Sequence, residues 1–240
     1  MFLVDVAGAV VQEESREWQP TAKVSQAGRG IPYDSRERRS VITIYGDKVS
    51  GNCLKVKWAC EHLGRPYRWI DVDILQGQSR TPQFLAMNPA GQVPTVVLED
   101  GRSLAQSNAI LRYLARGGRF IPEDAYEAAK VAEWLFWEQY SHEPTVAAAR
   151  SRVVYNGQSI ADLDPDLVAR ANRALDRLEQ ALTNQAFLVG DSMTIADIAL
   201  LAYTRQAPQA GFDLNGRPAL TRWIAACEQE LGLPAFAAGN

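Results

Sequence analysis

Cysteine and histidine are scarce in this chain. Of 240 residues, three are cysteine (Cys53, Cys60 and Cys227) and two are histidine (His62 and His142). An odd cysteine count with no C-x-x-C pair argues against a disulfide framework, and two isolated histidines argue against a zinc centre. No metal is therefore expected, and the thiols fit a reducing cytosol. Charge of one sign is lacking too: the formal net charge is -3. That leaves no sequence-independent attraction to nucleic acid or to an anionic membrane. No uninterrupted apolar run is long enough to span a bilayer. Residues Met1 to Val11 are apolar in places, but Asp5 interrupts them, and neither a basic start nor a clear small-residue cleavage signal is present. The expectation is a cytoplasmic protein without a signal peptide, with no nucleic-acid or membrane partner.

What is present is an ordinary globular composition, 47% hydrophobic and 22% charged, in a length that suits two small domains or one large one. Residues 1–40 mix charge with Gly28, Gly30 and Pro32 without periodicity, which reads as a flexible extension. From Val41 the pattern sharpens. Val41 to Tyr45 is a β-rich run, Leu54 to Leu63 carries apolar residues at helical spacing, Gly64 closes that helix, and Tyr67 to Ile74 alternates as a second strand. Strand Thr95 to Leu98 returns through an Asp100-Gly101 turn into Ser103-Leu104, and Gln106 to Ala115 reads as a helix.

After Gly117-Gly118 and Pro122 only helical periodicity remains, over Tyr126 to His142, Val146 to Tyr155, Asp166 to Thr183, Ile195 to Thr204 and Pro218 to Leu231. The reading is an α/β domain with thioredoxin-like element order over residues 41–119, followed by an all-α domain over 124–240. Thr194 and Asp197 have the spacing of a capping box ahead of an apolar helix, worth about 1 kcal/mol or more as a cap.

Three motifs occur in order: Asn88-Pro89-Ala90-Gly91-Gln92-Val93-Pro94, then Gln106-Ser107, then Thr194-Ile195-Ala196-Asp197. Together they resemble the glutathione S-transferase superfamily, and the resemblance covers about residues 41–236. It implies a thioredoxin-like domain that binds glutathione as co-substrate, a helical second domain, and a cytoplasmic homodimer active in detoxification. The conjugation partner it implies is a small hydrophobic electrophile. It also implies a cis peptide before Pro94, a glutathione-binding turn of Gln92, Val93 and Pro94 in which the Val93 backbone pairs with the cysteinyl residue, and a hold on the γ-glutamyl end by Gln106 and Ser107. Arg80 sits where the resemblance implies a basic residue for the glycyl carboxylate. Gln106 stands where the family often has Glu, which removes a formal charge facing the ligand's ammonium.

Such chemistry requires a thiolate, and lowering a thiol from about 8.5 by about 2 pH units takes about 2.7 kcal/mol of preferential stabilisation. A hydroxyl donor and a helix N-terminus can share it. Ser50, at the strand-to-helix junction, is the leading candidate for that hydroxyl, with Asn52 second. Each also has a plain structural reading at a helix start. Cys53 is a rival for facing the thiol, although a buried helix cysteine is the commoner outcome. Tyr45 reads as a strand-end packing residue and Cys60 as core. In the helical domain the stripe Trp134, Trp137, Tyr140 suggests that Trp137 and Tyr140 line the electrophile pocket. His142 has no evident partner that would make it a base. Alternatives within the same resemblance are a glutathione-dependent reductase acting through Cys53, a dehalogenase, an isomerase, or a non-catalytic interaction module.

Overall fold

A computed structural model describes residues 41–236. All of them belong to one compact unit. The expected 1–40 extension lies outside the described residues. Strand β1, Ile42–Gly46, buries Ile42 and Ile44 and leaves the alternate positions half covered, the period-2 pattern of a sheet packed on its faces. Helix α1, Gly51–His62, buries Cys53, Val56, Ala59 and Cys60 at three- and four-residue spacing. Gly64, at φ 62°, turns the chain into β2, Tyr67–Asp71, which runs parallel to β1 with Ile44 opposite Trp69.

The sequence pattern carries this strand on to Ile74, but it stops at Asp71. Its partner β1 ends at Gly46 opposite Asp71, and the Asp73 carboxylate then captures the Leu75 and Gln76 N–H groups in a turn. A short helix α2, Pro82–Met87, is capped by Thr81. Strands β3, Thr95–Val97, and β4, Ser103–Ala105, form an antiparallel hairpin. β3 pairs antiparallel with β1, so the sheet order is β2-β1-β3-β4. Helix α3, Ser107–Ala115, follows, one residue shorter than its apolar spacing implies.

The remainder is helical. Helix α4, Ala125–Trp137, runs into a wide-turned π segment, Glu138–Ala147, which continues as α5, Ala148–Val154. The sequence suggests two helices with a break after His142; the chain instead stays wound through Pro144. Proline supplies no N–H to the ladder, and the Thr145 hydroxyl donates to the Ser141 and His142 carbonyls at 2.7 and 3.0 Å in the same turn. Helices α6, Pro165–Leu182, α7, Ile195–Thr204, and α8, Pro218–Leu231, complete the fold.

Every residue of α7 is buried. Its start is the expected capping box: the Asp197 carboxylate accepts from the Thr194 N–H at 2.8 Å and the Thr194 hydroxyl accepts from the Ala196 N–H. Asp197 does more than cap. It also accepts from the Leu188 N–H and from the Trp223 indole, both at 2.9 Å, so one buried carboxylate ties α7 to the preceding loop and to α8. Among the described residues no helix is long and apolar enough to cross a membrane.

Candidate functional site

The N-terminus of α1, the Pro94 turn, the start of α3 and the inner face of the π segment with α5 and α7 surround a cavity of about 660 Å³. It brings together Ser50, Asn52, Arg80, Gln92, Val93, Pro94, Gln106 and Ser107, eight of the ten residues expected at a ligand site.

Ser50 occupies the N-cap position of α1 with extended backbone, yet its side chain makes no capping hydrogen bond. Its hydroxyl instead meets the Tyr203 hydroxyl and the Cys53 thiol, and it is 8% exposed at the cavity wall. An N-cap serine that leaves its helix uncapped keeps its O–H for other partners. The Asn52 amide is held on both sides: its Nδ2 donates to Glu143 Oε1 at 2.9 Å and its Oδ1 accepts from Ser107 Oγ at 3.0 Å. Burial raises the pKa of the Glu143 carboxyl.

The Pro94 turn is built by the rest of its motif. The Val93-Pro94 peptide is cis. Asn88 Nδ2 donates to the Gln92 carbonyl at 2.8 Å and to Thr95 Oγ1 at 3.1 Å, and Thr95 Oγ1 donates to the same carbonyl at 3.0 Å. Gly91, at φ 61°, has no room for a side chain, because a Cβ there would lie 2.9 Å from the Ser79 carbonyl oxygen and 2.5 Å from Arg80 Nη1. Arg80 itself donates to the Ala90 carbonyl at 3.0 Å, which fixes its guanidinium against the turn. Gln106 adopts φ 67° and ψ 110°, a left-handed backbone unusual for a residue other than glycine, immediately before Ser107 opens α3. Backbone of this kind gathers at ligand sites, where the surroundings over-determine it.

Several expectations need correction. Trp137 and Tyr140 do not line this cavity. They border a separate one with Arg173 and Arg177, and Tyr140 is 87% exposed. A 100° advance per residue carries the aromatic stripe forward, but the winding widens from Glu138, and the side chains facing the cavity become Gln139, Glu143, Ala147 and Arg150. Trp134 and Trp137 pack edge to face with Arg177 beside both rings. Cys53 does not face the cavity either. It is fully buried, its sulfur accepts from the Asp47 N–H at 3.3 Å, and burial pushes its thiol up to about 12. A buried thiol outside the cavity wall is not where a reductase acting through Cys53 needs it. Cys60 is core, likewise pushed up to about 12 by burial. Tyr45 packs edge-on against Phe84. His142 is buried against Thr204, 2.9 Å from Nε2 to the hydroxyl, and burial lowers its pKa to about 4, so no general base is built there.

Several cavity or network residues carry no motif and were missed by the sequence reading, Gln139 and Glu143 among them. Tyr203, on α7, accepts from the Asn52 N–H and contacts Ser50. Arg150 and Tyr155 line the wall contributed by α5 and its end. Lys55, fully buried on α1, donates to Glu138 Oε1 at 3.0 Å and lies 3.4 Å from Asn108 Oδ1. In the sequence it looks like Lys57, since each lysine stands between two apolar residues, Leu54 and Val56 for one and Val56 and Trp58 for the other. Burial opposes ionisation of Glu138, but Lys55 together with the Gln139 amide holds its carboxyl below the usual range. Gln139 Nε2 donates to both Glu138 Oε2 and Glu143 Oε2, so one hydrogen-bonded chain runs from the buried ion pair to Asn52 and Ser107. Among the described residues, no group of three or more His, Cys, Asp or Glu side chains is arranged to hold a metal ion.

The geometry suits an elongated polar ligand laid along the Pro94 turn. The cavity wall includes the α3 N-terminus and a hydroxyl at the α1 N-terminus, where the helix dipole favours negative charge. Comparison with known proteins agrees. The glutathione S-transferase N-terminal domain model matches residues 49–116 and the glutathione S-transferase C-terminal domain model matches residues 136–230. Glutathione S-transferase theta-2 of Mus musculus is 33% identical over 203 residues, 80% of this chain and 82% of that protein. The disulfide-bond oxidoreductase YfcG of Escherichia coli (strain K12) is 29% identical over 179 residues, 72% of this chain and 83% of that one. A crystal structure of a glutathione S-transferase from Pseudomonas fluorescens is 44% identical, covers 78% of this chain and 94% of its own, and superimposes with a TM-score of 0.76. The chain belongs to the glutathione S-transferase family.

Proposed function

We propose that this protein is a glutathione transferase that joins the glutathione thiolate to a small, largely hydrophobic electrophile. The observation that carries the reading is the uncapped Ser50 hydroxyl at the N-terminus of α1, opening on the same cavity as the cis Val93-Pro94 turn and the Gln106-Ser107 pair. In this reading the cysteinyl backbone pairs with Val93 as an added strand. The γ-glutamyl carboxylate sits on the Ser107 end of α3, the Gln106 carbonyl accepts from the ammonium, Gln92 and Pro94 flank Val93 in the turn, and Arg80 meets the glycyl carboxylate.

The thiol proton leaves to solvent, and the Ser50 O–H donates a hydrogen bond to the thiolate sulfur. The Tyr203 hydroxyl, in contact with Ser50, can donate to the serine oxygen in turn and so strengthen that donation. Asn52 orients the site from the side, through Ser107 and Glu143. The thiolate forms a bond to the electrophilic carbon. In a substitution the leaving group departs with its electron pair; in an addition the pair moves onto the adjacent carbon and water supplies a proton.

A detoxifying, cytoplasmic homodimer is part of the same proposal, as are a glutathione-binding domain over 41–119 and a helical domain over 124–240. The site calls for no metal. The test is to bind glutathione and follow the ultraviolet absorbance of its thiolate against pH, in wild type and Ser50→Ala. A bound thiol that ionises about 2 pH units below the free value in wild type, and nearly normally in the variant, supports the mechanism. Normal ionisation in wild type would refute it, and absence of binding would return the fold to a non-catalytic role.

A further inference from the structure

The cavity holds one cation more than glutathione uses. Among its lining residues Arg80 and Arg150 are the cations and Glu143 is the carboxylate. Under the glutathione reading, on which this inference rests, Arg80 takes the glycyl carboxylate and Ser107 the γ-glutamyl carboxylate, which leaves Arg150 unassigned.

Arg150 is an expensive residue to leave idle. It is 3% exposed, and among the described residues it forms no ion pair. Its Nε donates to Gln209 Oε1 at 2.7 Å, which orients the guanidinium, and the Tyr155 hydroxyl lies beside it. Tyr155 is itself committed: its O–H donates to Asp47 Oδ2 at 3.0 Å. The Asp47 carboxylate acts on the guanidinium only from behind Tyr155, without a direct ion pair, so the cavity side of this buried cation has room for an anion in contact with it. Glu143 does not answer it, because its two oxygens accept from Asn52 and Gln139. Around Arg150 the wall is Ala147, Ser151, Tyr155 and Tyr203 in place of the expected aromatic stripe.

We propose that Arg150 is a specificity residue that holds a carboxylate on the electrophile, with the Tyr155 and Tyr203 rings flanking the electrophile's apolar body. The preferred co-substrate is then an electrophile that carries a carboxylate at one end and its reacting carbon at the other.

The test compares two conjugates of one size and shape, S-(4-carboxybenzyl)glutathione and S-(4-carbamoylbenzyl)glutathione, by calorimetric titration at neutral pH. The carboxylate should bind wild type about tenfold or more tightly than the amide, because a charge-assisted bidentate contact replaces a neutral one. In Arg150→Met that preference should fall to about one, and Arg150→Lys should keep part of it. Equal affinities in wild type, or a preference that survives in Arg150→Met, would overturn the inference while leaving the glutathione reading intact. If neither conjugate binds, the glutathione reading fails and takes the inference with it. The wild-type comparison needs no variant to fold.

Discussion

The Tyr203 hydroxyl, near the end of buried α7, accepts a hydrogen bond from the Asn52 backbone N–H at 3.3 Å, 151 positions away in the chain. Asn52 lies in the first turn of α1, where N–H groups have no partner within the helix. A core helix of the helical half therefore satisfies a donor at the α1 terminus, and the same phenol lies beside Ser50. Under the proposed mechanism, the Ser50 hydroxyl is positioned by a residue that need not touch the ligand's sulfur.

Removing that phenol should weaken the site without dismantling it. Tyr203→Phe strips Ser50 of its partner and strands the Asn52 N–H, so the bound thiol should ionise about half to one pH unit higher than in wild type, corresponding to about 1 kcal/mol. Ser50→Ala should move it further. Ultraviolet titration of bound glutathione makes the comparison, and an unchanged thiol in Tyr203→Phe would mean that the contact is only packing.

The same approach leaves no space at Gly51. A Cβ there would stand 2.6 Å from Tyr203 Cε1 and 2.8 Å from two further ring atoms, so the ring or the α1 terminus must shift. Gly51→Ala should cost about 1–3 kcal/mol by overpacking, despite the better helix propensity of alanine. Urea denaturation measures it, and the displaced Tyr203 should raise the bound thiol's pKa in the direction of Tyr203→Phe. A variant as stable as wild type would show that the ring moves aside freely.

What could be read in the sequence was whatever repeats at short range. The strand alternation of Ile42 and Ile44, the Thr194/Asp197 cap and the Pro94 motif each depend on neighbours a few residues away, and α7 and α8 fall on the residues their periodicity predicts. Trp137 and Tyr140 were misplaced because one wide-turned stretch shifts the facing of everything beyond it, and local spacing does not announce such a stretch. Arg150, Tyr203 and Lys55 were missed because their significance lies in partners on other elements, where a single sequence carries no mark of the encounter.

His142 makes stability depend on acidity. Burial holds it neutral in the folded state down to about 4, whereas in the unfolded chain it protonates near 6.5. Between those values the unfolded state binds a proton that the folded state refuses. Stability from this group is complete above pH 6.5 and declines as pH falls towards 4, by about 2 kcal/mol at pH 5. Other groups titrate in that window, so the quantity to measure is a difference. Between pH 7 and pH 5, His142→Gln should lose about 2 kcal/mol less than wild type in urea unfolding. Equal losses would mean that the imidazole accepts its proton inside the fold.

The buried Lys55–Glu138 pair joins the sheet-bearing half to the helical half, with no exposure on either side chain. Lys55→Met removes a cation and leaves Glu138 buried with neutral donors from Asn108 and Gln139, which should cost about 3–5 kcal/mol. Adding Glu138→Gln removes the stranded charge while an amide oxygen still accepts from those two donors, so the double variant should be more stable than Lys55→Met alone. A double-mutant cycle in urea separates this coupling from lost packing. If the double variant is instead the sum of the two single changes, the pair acts as two independent polar groups, and the chain through Gln139 to Glu143 and Asn52 carries no electrostatic coupling into the site.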